Sequence, residues 1–114
     1  MTVHEFITKL KTNPEEIVFS DTLEVIEKYF NFRPTSFTNG TLVNEAGQNS
    51  GSCKIFSFGA HHKLSKEETL ACFGSYYRND VLKNPTGTDH QNIRNFMVTG
   101  WDGISFEKEA LSSK

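Results

Sequence analysis

Four segments of this chain read as helix-capping boxes, each a Ser, Thr or Asp followed three positions later by Glu or Gln. These are Thr2-Val3-His4-Glu5, Asp21-Thr22-Leu23-Glu24, Ser65-Lys66-Glu67-Glu68 and Thr88-Asp89-His90-Gln91. In such a capping box the two side chains each satisfy a backbone N–H that a helix start leaves without a partner. Behind each box comes an apolar stripe at helical spacing. The stripes are Phe6, Ile7 and Leu10; then Leu23, Ile26 and Phe30, widened by Val25 and Tyr29; then Leu70, Phe73, Tyr77 and Val81; and finally Ile93, Phe96 and Met97. Asn13-Pro14, Arg33-Pro34 and Asn84-Pro85-Thr86-Gly87 separate them, because the residue before proline is driven out of the helical region.

A further helix is predicted from Gly51 or Ser52 to about His62. Cys53, Ile55, Phe56, Phe58 and Ala60 make it apolar on several sides, so it belongs at the centre of the core. Ile17-Val18-Phe19 fits an extended run or a helical turn equally well. Gly100 sits where a left-handed helix end needs glycine, and Trp101, Ile104 and Phe106 read as a return onto the core. Residues 107–114 read as a frayed tail. Between Pro34 and Gly51 the chain is rich in Thr, Ser, Asn and Gly, with Phe37, Leu42 and Val43 as anchors. A connection of that length is uncommon and often functional. The expected fold is therefore all-α: a compact single domain over 1–114, of about five helices, with one long irregular loop over roughly residues 34–51.

Composition narrows the function. The 114 residues include ten Phe, three Tyr and one Trp, enough aromatic surface to fill a small core. A net charge of -2, from 12 basic and 14 acidic residues, argues against binding a phosphate backbone, so no nucleic-acid partner is expected. No stretch approaches the length of a membrane span. The N-terminal residues MTVHEFITKLKT lack the continuous apolar segment of a secretory signal, which points to the cytoplasm. Cys53 and Cys72 lack metal-type spacing and are expected to be free thiols.

Polar side chains gather at two helix starts. The long loop delivers Gly47-Gln48-Asn49-Ser50-Gly51-Ser52 into a helix, and its unpaired N–H groups meet the physical requirement for holding an anion. Asn49 or Ser50 capping the helix explains the same residues without a ligand. Cys53 lies in the first turn, where a helix dipole lowers a thiol pKa; a packed apolar cysteine is the simpler reading. His61 and His62 are too far along the helix to serve it, so the candidate catalytic pair is Cys53 and His90. His61, His62 and His90 do not share one helix face as metal ligands would, and no metal site or cofactor is expected. The candidate ligand-binding residues are Asn39, Asn49, Ser52, Tyr77, Arg78, Asp89, Asn92 and Arg94. Asp89 is explained by the helix dipole alone, and Arg78 by surface pairing. Of Tyr76 and Tyr77, one belongs to the core stripe and the other is free to present its hydroxyl to a cleft. The helix starts at Ser52 and Asp89 are expected to lie close together and frame a polar pocket.

At these residues the chain resembles a known family. Pro34-Thr35-x-Phe37-x-Asn39-Gly40, then Gly47-Gln48-Asn49-x-Gly51-Ser52-Cys53-Lys54-Ile55-Phe56, is similar to the HopJ family, named after type III secreted effectors of plant-pathogenic bacteria. The likeness continues through Thr69-Leu70-x-x-Phe73-Gly74-x-Tyr76-Tyr77-Arg78 and Val81-Leu82. It ends with Asp89-His90-x-Asn92-Ile93-Arg94-x-Phe96-Met97-x-x-Gly100-Trp101. The resemblance implies a bacterial protein delivered into a host cell and carries no assigned catalytic residues. Two function classes follow: an effector-like interaction module acting on a protein partner, or a small-molecule (anion) binder or enzyme using the pocket near Ser52 and Asp89.

Overall fold

In the computed structural model, which describes residues 1–114, two of the four capping boxes form. Helix α1 (Val3–Thr12) is closed by Thr2 and Glu5, and α4 (Lys66–Ala71) by Ser65 and Glu68, each box with both reciprocal bonds. The other two do not. Helix α2 (Phe19–Tyr29) begins two residues before Asp21, which therefore lies in the first turn and caps nothing, and the buried Thr22 beside it donates to the carbonyl of Cys72 at 2.9 Å. Helix α5 (Gln91–Thr99) begins one residue past His90, so the Thr88 hydroxyl lies too far upstream to cap it.

Helix α3 (Ser50–His61) runs through the middle of the molecule. Phe56 packs its ring against Phe37, Phe73 and Phe96, and Phe58 packs edge-on against Phe6 and Phe30. Both phenylalanines are fully buried, and burial of each such side chain is worth about 2–3 kcal/mol. Gly59 is required by packing: a Cβ there would lie 2.9 Å from the Thr69 hydroxyl and from the Trp101 ring. Trp101 does fold back onto the core, donating to the Leu64 carbonyl at 2.9 Å. No helix is long and apolar enough to cross a membrane.

The all-α expectation is wrong. The protein is mixed, 54% helix and 13% strand, with two small antiparallel sheets. The segment expected as an irregular loop holds a hairpin, β2 (Phe37–Asn39) and β3 (Leu42–Asn44), turned by Gly40 at φ +64. Strand β4 (Ile104–Phe106) pairs on the other side of β2, with Phe37 opposite Phe106. The second sheet pairs β1 (Phe30–Phe32) with β5 (Leu111–Ser113), Phe32 opposite Leu111. The expected frayed tail is thus a paired strand with Ala110 and Leu111 buried. Apolar burial at Leu111, together with a partner strand left exposed by the end of α2, outweighs the polar composition of its neighbours.

The helix predicted to run from Ser65 to Val81 is also broken. Gly74 takes φ +61, and a Cβ there would lie 2.7 Å from the backbone nitrogen of Phe19. The chain resumes as a π-helical turn over Tyr76–Val81, in which the Leu82 N–H reaches back five residues to the Tyr77 carbonyl. That wider turn leaves Tyr77 packed on the core and swings Tyr76 outward.

Two outcomes are expected. Leu111→Ala should lower stability by about 2–3 kcal/mol in urea denaturation, whereas truncation in a frayed tail would cost nothing measurable. Glu68 accepts from the Ser65 backbone and from Lys11, and these bonds hold its carboxyl below the ordinary range. A depressed folded-state pKa contributes stability above the unfolded value that is lost as pH falls through the folded one. The gap in denaturation midpoint between wild type and Glu68→Gln should therefore narrow as the pH is taken from neutral to acid; a constant gap would refute the linkage.

Candidate functional site

Helices α3 and α5 begin in the same unusual way. The residue before each, Asn49 and His90, is left-handed, with φ 50 and ψ 47 in one and φ 50 and ψ 48 in the other. Asn and His are among the few residue types that tolerate this backbone. An ordinary N-cap is extended and folds its side chain over the helix start. Here neither side chain does so. Asn49 instead donates its amide to Asn44 Oδ1 at 2.7 Å, and the His90 ring lies 3.0 Å from Asp80 Oδ2. The first-turn N–H groups of both helices are left without a side-chain cap.

Both starts face one cavity of about 480 Å³. One wall is polar: Asn49, Gly51 and Ser52 from α3, and His90, Gln91 and Asn92 from α5. The other is apolar: Phe19, Leu42, Phe73, Tyr76 and Ile93. Tyr76 stands edge-on to Phe19 at 4.9 Å and tilts over His90 at 5.2 Å, so it bridges the two walls. Gly51 lets the Phe19 ring approach the start of α3, because a Cβ would come within 3.2 Å of it.

Behind the polar wall lies a buried amide network. Asn44 and Asn92 exchange a pair of hydrogen bonds, Asn92 Nδ2 to Asn44 Oδ1 at 2.9 Å and Asn44 Nδ2 to Asn92 Oδ1 at 3.1 Å. Asn39 donates to the Asn92 carbonyl at 2.8 Å and to its Oδ1 at 3.0 Å. Asn39 and Asn44 have no exposed surface at all. The hairpin β2–β3 is thereby tied to both helix starts.

Of the residues singled out from sequence, Asn49, Ser52, His90 and Asn92 line the cavity, and Asn39 supports it from below. The rest lie elsewhere. Tyr77 packs in the core, and Tyr76 takes the place at the cleft. Arg78 donates to the carbonyls of Pro14 and Ile17, fixing the turn between α1 and α2. Arg94 donates to the carbonyls of Asn84 and Asp89 and to the Asp89 carboxylate, clamping the loop before α5; its guanidinium holds the Asp89 carboxyl below the ordinary range. Cys53 is buried against the Thr35 carbonyl, and burial pushes its thiol pKa up, opposite to the helix-dipole expectation. It shares no wall with His90. Cys72 is buried and free as well. No three His, Cys, Asp or Glu side chains gather where a metal ion could be held. Sequence reasoning missed Asn44 and Phe19, and of the two tyrosines it weighed it placed Tyr77 in the site where Tyr76 stands. Asn44 had a signal: it is a polar residue closing a β-type run next to Val43.

The HopJ type III effector protein family model matches residues 3–111. The chain belongs to the HopJ family. The crystal structure of the unknown-function protein VPA0580 superposes with a TM-score of 0.98 at 55% identity, covering 100% of this chain and 95% of that one. No curated protein matches the chain significantly. The family match ends at Leu111, the first residue of β5, whereas the superposition extends over the whole chain.

If the reciprocal amide pair behaves as a unit, Asn44→Ala and Asn92→Ala should each cost about 1–3 kcal/mol. Their double mutant should fall short of the sum by about 1 kcal/mol or more. Strict additivity in urea titrations would show that the two amides act independently.

Proposed function

We propose that this HopJ-family protein is an effector-type interaction module, delivered into a host cell, that engages a macromolecular partner through the cleft between the starts of α3 and α5. The observation that carries the reading is the pairing of two uncapped helix starts with an aromatic wall around one cavity. Such a cleft suits a partner segment that sets a carboxylate or carbonyl against the N–H groups and an apolar side chain against Phe19, Phe73 and Tyr76. Clefts that join an apolar wall to a few placed polar groups are the usual form of a binding site. The family match supports the effector class, and the exposed Tyr76 gives the site an aromatic anchor of the kind that dominates interface energetics.

A second reading, a small-molecule binder or enzyme at the same cleft, is favoured by the His90–Asp80 pair on its rim. A carboxylate that orients an imidazole is a recurring arrangement for proton transfer. Cys53 contributes nothing to it, since its thiol points to Thr35.

Benzoate is a minimal mimic of the expected segment, and its binding can be followed by amide chemical shifts. It is expected to shift the amides of Ser52, Gln91 and Asn92 together with the Tyr76 ring. Benzyl alcohol, which lacks the carboxylate, should bind at least about tenfold more weakly, as expected when a charge-assisted hydrogen bond is lost. Benzoate shifts scattered over the surface, or absent from the cleft, would defeat the proposal. Saturable binding of benzoate with a His90-dependent chemical conversion of a test ester would favour the second reading.

A further inference from the structure

We infer that Asn44, which does not line the cleft, is its positioning residue, fixing the two helix starts relative to each other. This rests on the cleft being the working site. The Asn44 amide uses its bonding capacity on the site's own parts. Its Oδ1 accepts from Asn49 Nδ2 at 2.7 Å, at the start of α3, and from Asn92 Nδ2 at 2.9 Å, in the first turn of α5. Its Nδ2 donates to Asn92 Oδ1 at 3.1 Å and to the Phe37 carbonyl at 3.5 Å, within the hairpin that carries it. One oxygen atom thus joins two helices that no other side-chain bond connects at this end. A carbonyl oxygen has two lone pairs, and both are taken. Asn44 is fully buried, so its oxygen relies on these two donors.

The arrangement explains why Asn49 is left-handed. An extended N-cap would turn its amide over the start of α3, and the bond to Asn44 would be lost. The backbone cost of the left-handed conformation is small for asparagine. What results is a polar wall whose first-turn N–H groups carry no side-chain cap.

Amide hydrogen exchange tests the inference without a ligand. The first hydrogen-bonded amides of the two helices are Cys53, bonded to the Asn49 carbonyl, and Arg94, bonded to the His90 carbonyl. In Asn44→Ala both should exchange at least tenfold faster relative to the Phe6 amide, which holds the same place in α1. In Asn49→Asp only Cys53 should respond. Aspartate suits both the left-handed backbone and an N-cap, so a purely local role for Asn49 predicts unchanged or slower exchange. Equal acceleration at Phe6, Cys53 and Arg94 in Asn44→Ala would mean general destabilisation and would overturn the inference. Should Asn44→Ala not fold, an unchanged Cys53 amide in Asn49→Asp overturns it alone. Benzoate separates this from the broader reading. A wild-type cleft that ignores benzoate removes the binding role, whereas one that binds it equally well in wild type and Asn49→Asp removes the positioning role.

Discussion

A primary amide taken out of water must find partners for two donors and an acceptor, and Asn44 and Asn92 meet much of that demand by bonding to each other. This reciprocal pair is where the hairpin, the start of α3 and the start of α5 come together. Leucine at either position would pack without needing that geometry. Amides accept no other arrangement, since a shift of an ångström leaves buried donors unpaired at a cost of about 1–3 kcal/mol each. Buried polar networks of this kind specify one structure more than they add net stability. The apolar core around Phe56 supplies the drive to fold, and the amides determine how the hairpin docks on it.

The parts of the fold legible in the sequence are those governed by local rules. Thr2 with Glu5 and Ser65 with Glu68 close helices because both bonds of each box lie within four residues, and Lys11 takes only the other oxygen of Glu68. Asp21 with Glu24 fits the same pattern and fails it, because α2 already starts at Phe19 and Asp21 lies inside its first turn. Strands of three residues carry too little alternation to register as a period. The hairpin nevertheless left a trace in Asn39-Gly40, a turn-forming dipeptide between two apolar runs. At the C-terminal end, Leu111 has no periodic neighbours, and only the free edge of β1 makes it a strand.

The candidate site was half legible for the same reason. Polar residues at helix starts can be read from sequence, so Asn49, Ser52, His90 and Asn92 were found. Which tyrosine reaches the cleft depends on the rotation of the chain after Gly74, and that is set by the contact with Phe19, more than fifty residues earlier. Arg78 and Arg94 looked like ligand anchors because they stand near helix ends. Their guanidinium groups are instead spent on backbone carbonyls, which a sequence does not display.

The pairing of Phe30 with Ser113 joins positions roughly eighty residues apart, a loop whose closure costs entropy before any bond repays it. The β1–β5 ladder therefore depends on the packed helices to bring its two strands together. An opening there would uncover Phe30 and the Phe58 ring beneath it while leaving the α3–α5 cleft and its amides in place. Loss of this one ladder would thus bare the aromatic core at its edge while every bond of the polar hub stayed made.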